Sequence, residues 1–282
     1  KARLGLLREA AGLHRSERGD PNSAVPLLEQ AVELDPDDPE LRLELSDALR
    51  AAERYDEAAT ILQKQIELYG SRRPKDRALV HFQLAKVLLA ADRRDEALSE
   101  LTAANKIDPA HPGILQSLAR LAMEQGELKR AERMFRALLL VIKPGDENET
   151  ASRAEALLDL SEIAVMQEDP VRGTEFVESA FEAALESEHE AHALEGALRA
   201  RGRTELLGRA LETRLDKARD PRDAARALAD LVVMQGASLA PADQPVDDWR
   251  KRARSIQRKL ESKRSADDAA WEALGQVYDH LG

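Results

Sequence analysis

The sequence contains no cysteine, which excludes disulfide bonds, cysteine-ligated zinc and thiol catalysis. Aromatic residues make up only 3% of the 282 residues, less than a β-sandwich or a β-barrel normally uses. The longest apolar run, Ala137–Ile142, is far shorter than the ~20 residues that a membrane-spanning helix needs. The chain opens without the pattern of a secretory signal. Because the first residue is Lys1 and not methionine, we expect the sequence to be a piece of a longer protein.

Positive charge is scarce relative to negative charge. The sequence has 42 Lys+Arg against 53 Asp+Glu, which gives a formal net charge of −11 at pH 7. A protein that binds nucleic acid or an anionic membrane needs a basic surface as its electrostatic footprint. The acidic balance therefore disfavours both kinds of partner.

Motifs of catalysis are also missing. No phosphate-binding loop, dinucleotide fingerprint or nucleophile elbow occurs, so we predict that the chain is not an enzyme and binds no cofactor. The nearest approach to a metal site is His189 with His192, which have Glu186, Glu188 and Glu195 around them. Because the H-E-x-x-H zinc motif needs a spacing of four residues, we interpret this segment as a solvated polar face and predict no metal.

The abundant residues are helix formers. Ala, Leu, Glu and Arg supply much of the 43% hydrophobic and 34% charged residues, and they lose little side-chain freedom in a helix. Proline follows aspartate in pairs such as Asp38-Pro39 and Asp169-Pro170, where one helix should end and the next begin. No stretch alternates apolar and polar residues with the period of a β-strand. The pattern predicts an all-α protein.

Small and large apolar residues recur at intervals of 34 residues, or somewhat longer where a connection is extended. The recurring positions are Ala24 with Leu28, Ala58 with Leu62, Ala97 with Leu101, Ala131 with Phe135, and Gly173 with Val177. A small residue lets two helices approach closely where they cross, and the large residue fills the gap to the next pair. Since no single pair buries its own apolar face, we expect stability to come from stacking.

The last copy carries the most explicit motif, Trp271-x-x-Leu274-Gly275-x-x-Tyr278. Together with the 34-residue period, it resembles the signature of the tetratricopeptide repeat, a helix–turn–helix unit. The resemblance implies an all-α, right-handed α-solenoid in a single domain across residues 1–282. The predicted repeats are 5–38, 39–72, 78–111, 112–145, 154–187 and 188–221, then an irregular 222–265 and a half repeat 266–282.

In tetratricopeptide arrays, the first helices of successive pairs line a concave groove in which peptides usually bind. Mapped onto this sequence, the resemblance implies an acidic wall, a mixed centre and a second acidic wall. The implied groove residues are Glu44, Asp47, Phe82, Gln83, Lys86, Gln116, Arg120, Asp159 and Glu162. We expect Lys86 and Arg120 to bind a carboxylate or carbonyl of a peptide whose basic residues face the acidic walls.

A basic segment lies near the end of the chain. Residues 250–264 contain eight Lys or Arg and one glutamate. As a helix, the segment would present a cationic outer face opposite an apolar stripe. The stripe consists of Trp249, Ala253, Ile256 and Leu260. The cationic face is interpreted as solvated surface or, alternatively, as a docking face for an acidic partner or an anionic lipid.

The helix of Trp271, Leu274 and Tyr278 matches only the first half of a repeat, so we expect its apolar face to need a cover. Either the parent protein continues into further repeats, or this end self-associates with another copy through those three residues.

These observations predict a non-enzymatic scaffold of bacterial character that binds a protein or peptide partner by its groove or edge within a larger assembly. An alternative is an assembly or export adaptor of the cell envelope, holding a secretion or polysaccharide machine. A third hypothesis, an RNA-reading pentatricopeptide-like protein, is disfavoured because phosphate contacts need a basic track. The sequence predicts no membrane span, and it leaves the compartment open between cytoplasm and periplasm.

Overall fold

The computed structural model describes residues 2–16, 18–36, 38–143, 151–238, 245–263 and 267–282. Within these ranges the backbone forms fifteen α-helices and no β-strand, so the all-α prediction is confirmed. The helices are α1 (Ala2–Ser16), α2 (Pro21–Leu34), α3 (Pro39–Ala51), α4 (Tyr55–Tyr69), α5 (Pro74–Ala90), α6 (Arg94–Ile107), α7 (Pro112–Glu124), α8 (Leu128–Val141), α9 (Arg153–Met166), α10 (Pro170–Ala184), α11 (Glu188–Ala200), α12 (Thr204–Lys217), α13 (Pro221–Ser238), α14 (Val246–Ser262) and α15 (Asp268–Leu281). Of the helices in the described part of the chain, none has the length and apolar character needed to cross a membrane.

Helix starts follow from capping aspartates and the prolines after them. Asp38 and Asp169 each accept a hydrogen bond from a backbone N–H in the first helical turn, at 2.9 and 3.1 Å. Pro39 and Pro170 occupy the first helical positions, where the missing N–H costs no intrahelical bond. The predicted role of the Asp-Pro pairs is therefore confirmed at these two boundaries.

The chain divides into two compact units, residues 1–141 and 142–282. In the first unit each helix packs against the next along the chain, and α3 also contacts α5. The small residues predicted at the crossings, Ala58, Ala97 and Ala131, are 0% exposed, as are Leu101 and Phe135 beside them. The predicted division of one solenoid into eight repeat segments stays a prediction.

In the second unit, α9 packs against both α10 and α11, and α13 packs against α12, α14 and α15. Gly173 of α10 marks the closest approach to α9. A Cβ atom at this position would lie 3.0 Å from Val165 Cγ2 and 3.3 Å from the Ser161 carbonyl oxygen. The absence of a side chain at Gly173 is what allows the two helices to touch.

The last helix, α15, is covered, so the expectation of an uncovered half repeat is wrong. Its apolar residues Ala270, Ala273, Leu274, Val277 and Leu281 are buried. Leu274 is 2% exposed, because α15 packs on α13 and α14. Tyr278, which is half-buried, donates a hydrogen bond from Oη to Gln257 Oε1 of α14 at 2.8 Å. Leu274 is therefore not available to a second copy, and self-association through Trp271 and Tyr278 stays a prediction.

Candidate functional site

In the first unit, the predicted groove residues lie on α3, α5 and α7, the first helices of three successive pairs. Phe82 of α5 is 6% exposed and packs against His111, with ring centroids 5.2 Å apart and planes tilted by 54°. The Lys86 Nζ atom lies 5.7 Å from the centroid of the same ring. Gln83 is half-buried beside them. We name this set, together with Asp47 of α3, the Lys86 face.

Lys86 is the electrostatic centre of the Lys86 face. Its side chain is half-buried, and burial lowers its pKa, while Asp47 acts to raise the pKa and Arg50 to lower it. Among the described residues, no carboxylate oxygen lies close enough to Lys86 Nζ, within 4.0 Å, to form an ion pair. The carboxylate of Asp47 pairs instead with Arg50, at 3.6 Å. The face thus holds a partly desolvated ammonium group over an aromatic ring.

His111 was not predicted as part of this surface. It precedes Pro112 at the start of α7, and its Nδ1 atom accepts a hydrogen bond from the Ile114 N–H at 3.4 Å. Burial lowers the pKa of His111, which keeps the ring neutral and able to accept at neutral pH. The only sequence signal for this role was its position directly before a helix-initiating proline.

The first predicted acidic wall is neutralised within the chain. Arg8 of α1 donates to both carboxylate oxygens of Glu44, from Nε to Oε2 at 3.2 Å and from Nη2 to Oε1. The bidentate pair joins residues 36 apart in the sequence, which is why the charge pattern of α3 alone did not indicate it.

The second predicted wall is also paired, within the second unit. Asp159 of α9 is 2% exposed and accepts a hydrogen bond from Nη2 of Arg201. The Nε atom of Arg201 lies 3.0 Å from Glu162 Oε1. Arg201 follows α11, so stacking of α11 on α9 brings its guanidinium to both carboxylates. The structure therefore gives Glu44, Asp159 and Glu162 intramolecular partners.

The remaining predicted groove residues lie on α7. Gln116 is 6% exposed and Arg120 is half-buried. The structure thus places seven of the nine predicted residues in the first unit and two, Asp159 and Glu162, in the second.

The segment interpreted as a solvated polar face is partly buried, so that interpretation is wrong for Glu190 and Glu195. Glu190 is 1% exposed, and its carboxylate accepts hydrogen bonds from Ser152 Oγ at 2.5 Å, Arg153 N at 3.0 Å and Ala154 N at 2.8 Å. Glu190 of α11 therefore caps the start of α9, where backbone N–H groups have no partner in their own helix. Among the described residues, no group of three or more His, Asp or Glu could hold a metal ion.

Glu195 belongs to a buried charged cluster in the second unit. Glu195, Arg214 and Asp223 are 3%, 7% and 8% exposed. Arg214 Nη1 donates to Glu195 Oε2 at 2.5 Å, and Arg214 Nε lies 3.3 Å from Asp223 Oδ1. Burial raises the pKa of Glu195 to about 7; Arg214 opposes this shift, and Asp230 and Asp223 add to it. We name these three residues the Arg214 cluster.

Two cavities border the Arg214 cluster. One, of about 460 Å³, is lined by α10, α11, α12 and the start of α13. The other, of about 390 Å³, is lined by α11, α12, α13 and α15. Glu195 and Arg214 line both cavities, so the cluster forms part of the wall of each. Sequence periodicity gave no sign of these cavities, because they depend on how four helices pack.

The basic helix α14 has the predicted apolar stripe. Trp249, Ala253, Ile256 and Leu260 are its buried residues. On the outer side, Arg252 pairs with Asp216 at 2.8 Å and Asp248 at 2.9 Å, while Lys251, Arg254 and Arg258 are exposed. Arg264 lies outside the described residues. Docking of an acidic partner or lipid on this face stays a prediction.

Comparison with known proteins agrees with this architecture. The family model of the tetratricopeptide repeat matches residues 16–74 and 75–143 of this chain. No curated protein matches the chain.

Solved structures of tetratricopeptide proteins extend the likeness of fold. A tetratricopeptide repeat protein from Parabacteroides merdae is 15% identical, covers 99% of this chain and 100% of its own, and has a TM-score of 0.50. A putative kinesin light chain from Podospora anserina with nearly identical TPR-like repeats is 19% identical, covers 64% and 94%, and scores 0.52. MamA from Desulfovibrio magneticus RS-1 is 20% identical, covers 65% and 96%, and scores 0.50. At these identities the likeness concerns the fold, and it confirms the predicted fold class.

Proposed function

We propose that this chain is a non-enzymatic scaffold that binds a segment of a protein partner on the Lys86 face. The observation that carries the proposal is the state of Lys86. Its ammonium group is half-buried over Phe82 and lacks a carboxylate of its own among the described residues. A partly desolvated cation interacts more strongly with an arriving anion than a fully hydrated one does.

The partner segment should therefore present a carboxylate to Lys86. Glu44, Asp159 and Glu162 already have arginine partners, so their charges do not select a basic segment. We therefore propose a partner segment without a requirement for basic flanking residues. A single acidic side chain or a free carboxyl terminus anchors this segment at Lys86. The ring of Phe82 packs against His111 and lies below the Lys86 ammonium group, 5.7 Å from Nζ to the ring centroid.

A peptide-display selection tests this proposal. The chain is used to select from a random library of displayed peptides, and the affinity of the selected peptides is measured by fluorescence anisotropy. We expect them to carry Asp, Glu or a free carboxyl terminus and to bind Lys86→Glu at least ~10-fold more weakly, since the anchoring ion pair becomes a repulsion.

Two variants complete the design. Lys86→Arg, which keeps the charge, should retain most of the affinity, and Arg133→Glu, on the exposed side of α8, should leave it unchanged. Selected peptides that bind wild type and Lys86→Glu equally well would show that the partner contacts another surface.

A cell-envelope adaptor would be a scaffold of the same kind. It differs in requiring a signal or membrane segment in the parent protein, and the full-length sequence decides between the two. The net charge of −11 supports a protein partner over a nucleic acid.

A further inference from the structure

The larger cavity beside the Arg214 cluster combines an apolar wall with a charged floor. Phe181, Leu194 and Ala210 contribute buried apolar surface, and Leu185 at the edge is 47% exposed. Glu195, Asp223 and Arg214 supply the floor. We name this space the α11 cavity.

The floor carries unsatisfied polar atoms. Glu195 Oε1 is buried and makes no hydrogen bond to any described residue, whereas the buried Asp223 Oδ1 makes no hydrogen bond but lies 3.3 Å from Arg214 Nε as an ion pair. With both acids ionised, two carboxylates face one guanidinium, which leaves one negative charge without a counterion. Buried polar groups normally have partners, and an uncompensated buried charge is expensive.

Charges at the rim do not supply the missing counterion. His192 Nε2 lies 4.0 Å from Asp223 Oδ1, but burial lowers the pKa of His192 and keeps it neutral at neutral pH. The rim acids Glu186 and Asp220 are paired with Arg153 and Arg222. The cavity is also lined by Glu188, Lys217 and Arg219, which are exposed, and among the described residues none of the three forms an ion pair with Glu195 or Asp223. The buried charge at the floor therefore has no counterion from the rim.

We propose that the α11 cavity binds an alkylammonium group on an aliphatic stem, the side chain of a lysine carried by a protein partner. The ammonium group lies against Glu195 and Asp223, and the methylenes lie against Phe181 and Leu185. An ammonium group offers three donors, enough for Glu195 Oε1, which has no hydrogen bond, and for Asp223 Oδ1 beside it. The volume of about 460 Å³ accommodates one such side chain with accompanying water.

The inference rests on the proposed function only in taking the lysine from a protein partner. The α11 cavity belongs to the second unit, whereas the Lys86 face belongs to the first.

The test is a titration of the whole chain, followed by ¹⁵N–¹H correlation spectra at pH 8. The probe is Nα-acetyl-lysine-N-methylamide, and its uncharged counterpart with the same stem length is Nα-acetyl-norleucine-N-methylamide. We expect the lysine derivative to give saturable shifts at amides that line the cavity, such as Ala191 and Thr213, and the norleucine derivative to give none.

Isosteric variants connect binding to the floor. Glu195→Gln should weaken binding of the lysine derivative at least ~10-fold, since the amide carries no charge. Glu205→Gln, an exposed acid of α12 outside the cavity lining, should leave binding unchanged. The spectra also show whether each variant is folded.

The pH dependence gives a second readout. The charged or titratable groups that line the two cavities beside Glu195, or act on its pKa, are Glu186, Glu188, His192, Arg199, Arg214, Lys217, Arg219, Asp220, Asp223, Arg226, Asp230 and Glu272. Lowering the pH from 8 to 6 protonates Glu195, so affinity in wild type should fall about 10-fold. In Glu195→Gln, affinity should vary less.

Several results would overturn the inference. These are equal binding by wild type and Glu195→Gln, equal binding of the norleucine derivative, or no saturable binding of the lysine derivative. If 1,5-diaminopentane bound and the lysine derivative did not, the ligand of the cavity would be a free diamine and not a lysine side chain of a protein partner. None of these results alters the effect of Lys86→Glu on displayed peptides, so failure here and failure of the proposed function are distinguishable.

Discussion

Replacement of Glu195 by glutamine should stabilise the second unit at pH 8. The unfolded carboxyl titrates near its ordinary value of 4.5, whereas burial raises the pKa in the folded chain to about 7. Between these two values the folded state holds a proton that the unfolded state has released. The contribution of Glu195 to stability therefore falls as the pH rises from about 4.5 to 7, and above 7 the whole penalty is present.

The magnitude follows from the two pKa values. The rise in the pKa of Glu195 from 4.5 to about 7 corresponds to a loss of folding free energy of about 3 kcal/mol at most. Since Glu195 is only 3% exposed, solvent screening reduces this little. Glutamine keeps an oxygen that can accept from Arg214 but cannot ionise. We expect the free energy of unfolding of Glu195→Gln to exceed that of wild type by up to about 3 kcal/mol at pH 8. Near pH 4 the two free energies should be equal.

Urea unfolding followed by tryptophan fluorescence measures this effect, because both tryptophans, Trp249 and Trp271, lie in the second unit. The comparison is made at several pH values between 4 and 8, with Glu205→Gln as the control for loss of one exposed acid. A variant that is less stable than wild type at pH 8 would refute the reasoning, since attraction to Arg214 would then outweigh desolvation. A difference independent of pH would refute it equally.

Further predictions concern packing and ion pairing, and thermal or urea unfolding checks each of them. Gly173→Ala should destabilise by ~1–3 kcal/mol through overpacking at the α9–α10 contact, less a small gain in helix propensity. Gly196→Ala, inside α11 with nothing within 4 Å of the new Cβ, should stabilise the chain by about 0.5–1 kcal/mol. A Gly173→Ala variant more stable than Gly196→Ala would contradict the packing described. Ala97→Leu should cost ~1–3 kcal/mol because Ala97 is 0% exposed at a helix crossing, and an unchanged melt would count against that register. Arg201→Met removes a charge partner from the buried Asp159 and should cost about 3 kcal/mol, whereas a neutral outcome would show that the pair contributes little.

Features that repeat along the chain were predictable from the sequence. The Asp-Pro boundaries, the small crossing residues such as Ala97 and Ala131, and the stripe of α14 each depend on a local period. Residues within one or two helical turns determine them, so the pattern carries the information.

Features that depend on pairs of helices distant in sequence were not predictable in the same way. Glu44 and Asp159 look like free acids on their own helices, and only stacking brings Arg8 and Arg201 to them across 36 and 42 residues. From the sequence of α11 alone, Glu195 is expected to be a surface residue. Its burial depends on the packing of α12 against α11. The burial of the apolar face of α15 was not predicted for a related reason. The repeat pattern gives this helix no partner, whereas in the structure α13 and α14 pack against it.

The most direct measurement of the central claim is site-specific photo-crosslinking to a selected peptide ligand. A benzophenone amino acid replaces Gln83 on the Lys86 face, or Arg133 on the exposed side of α8 as the control. We expect crosslinks from position 83, lost when Lys86→Glu is added, and none from position 133. Crosslinks from position 133 alone, or crosslinks from position 83 that persist in Lys86→Glu, would contradict the assignment of the Lys86 face as the surface that binds the partner.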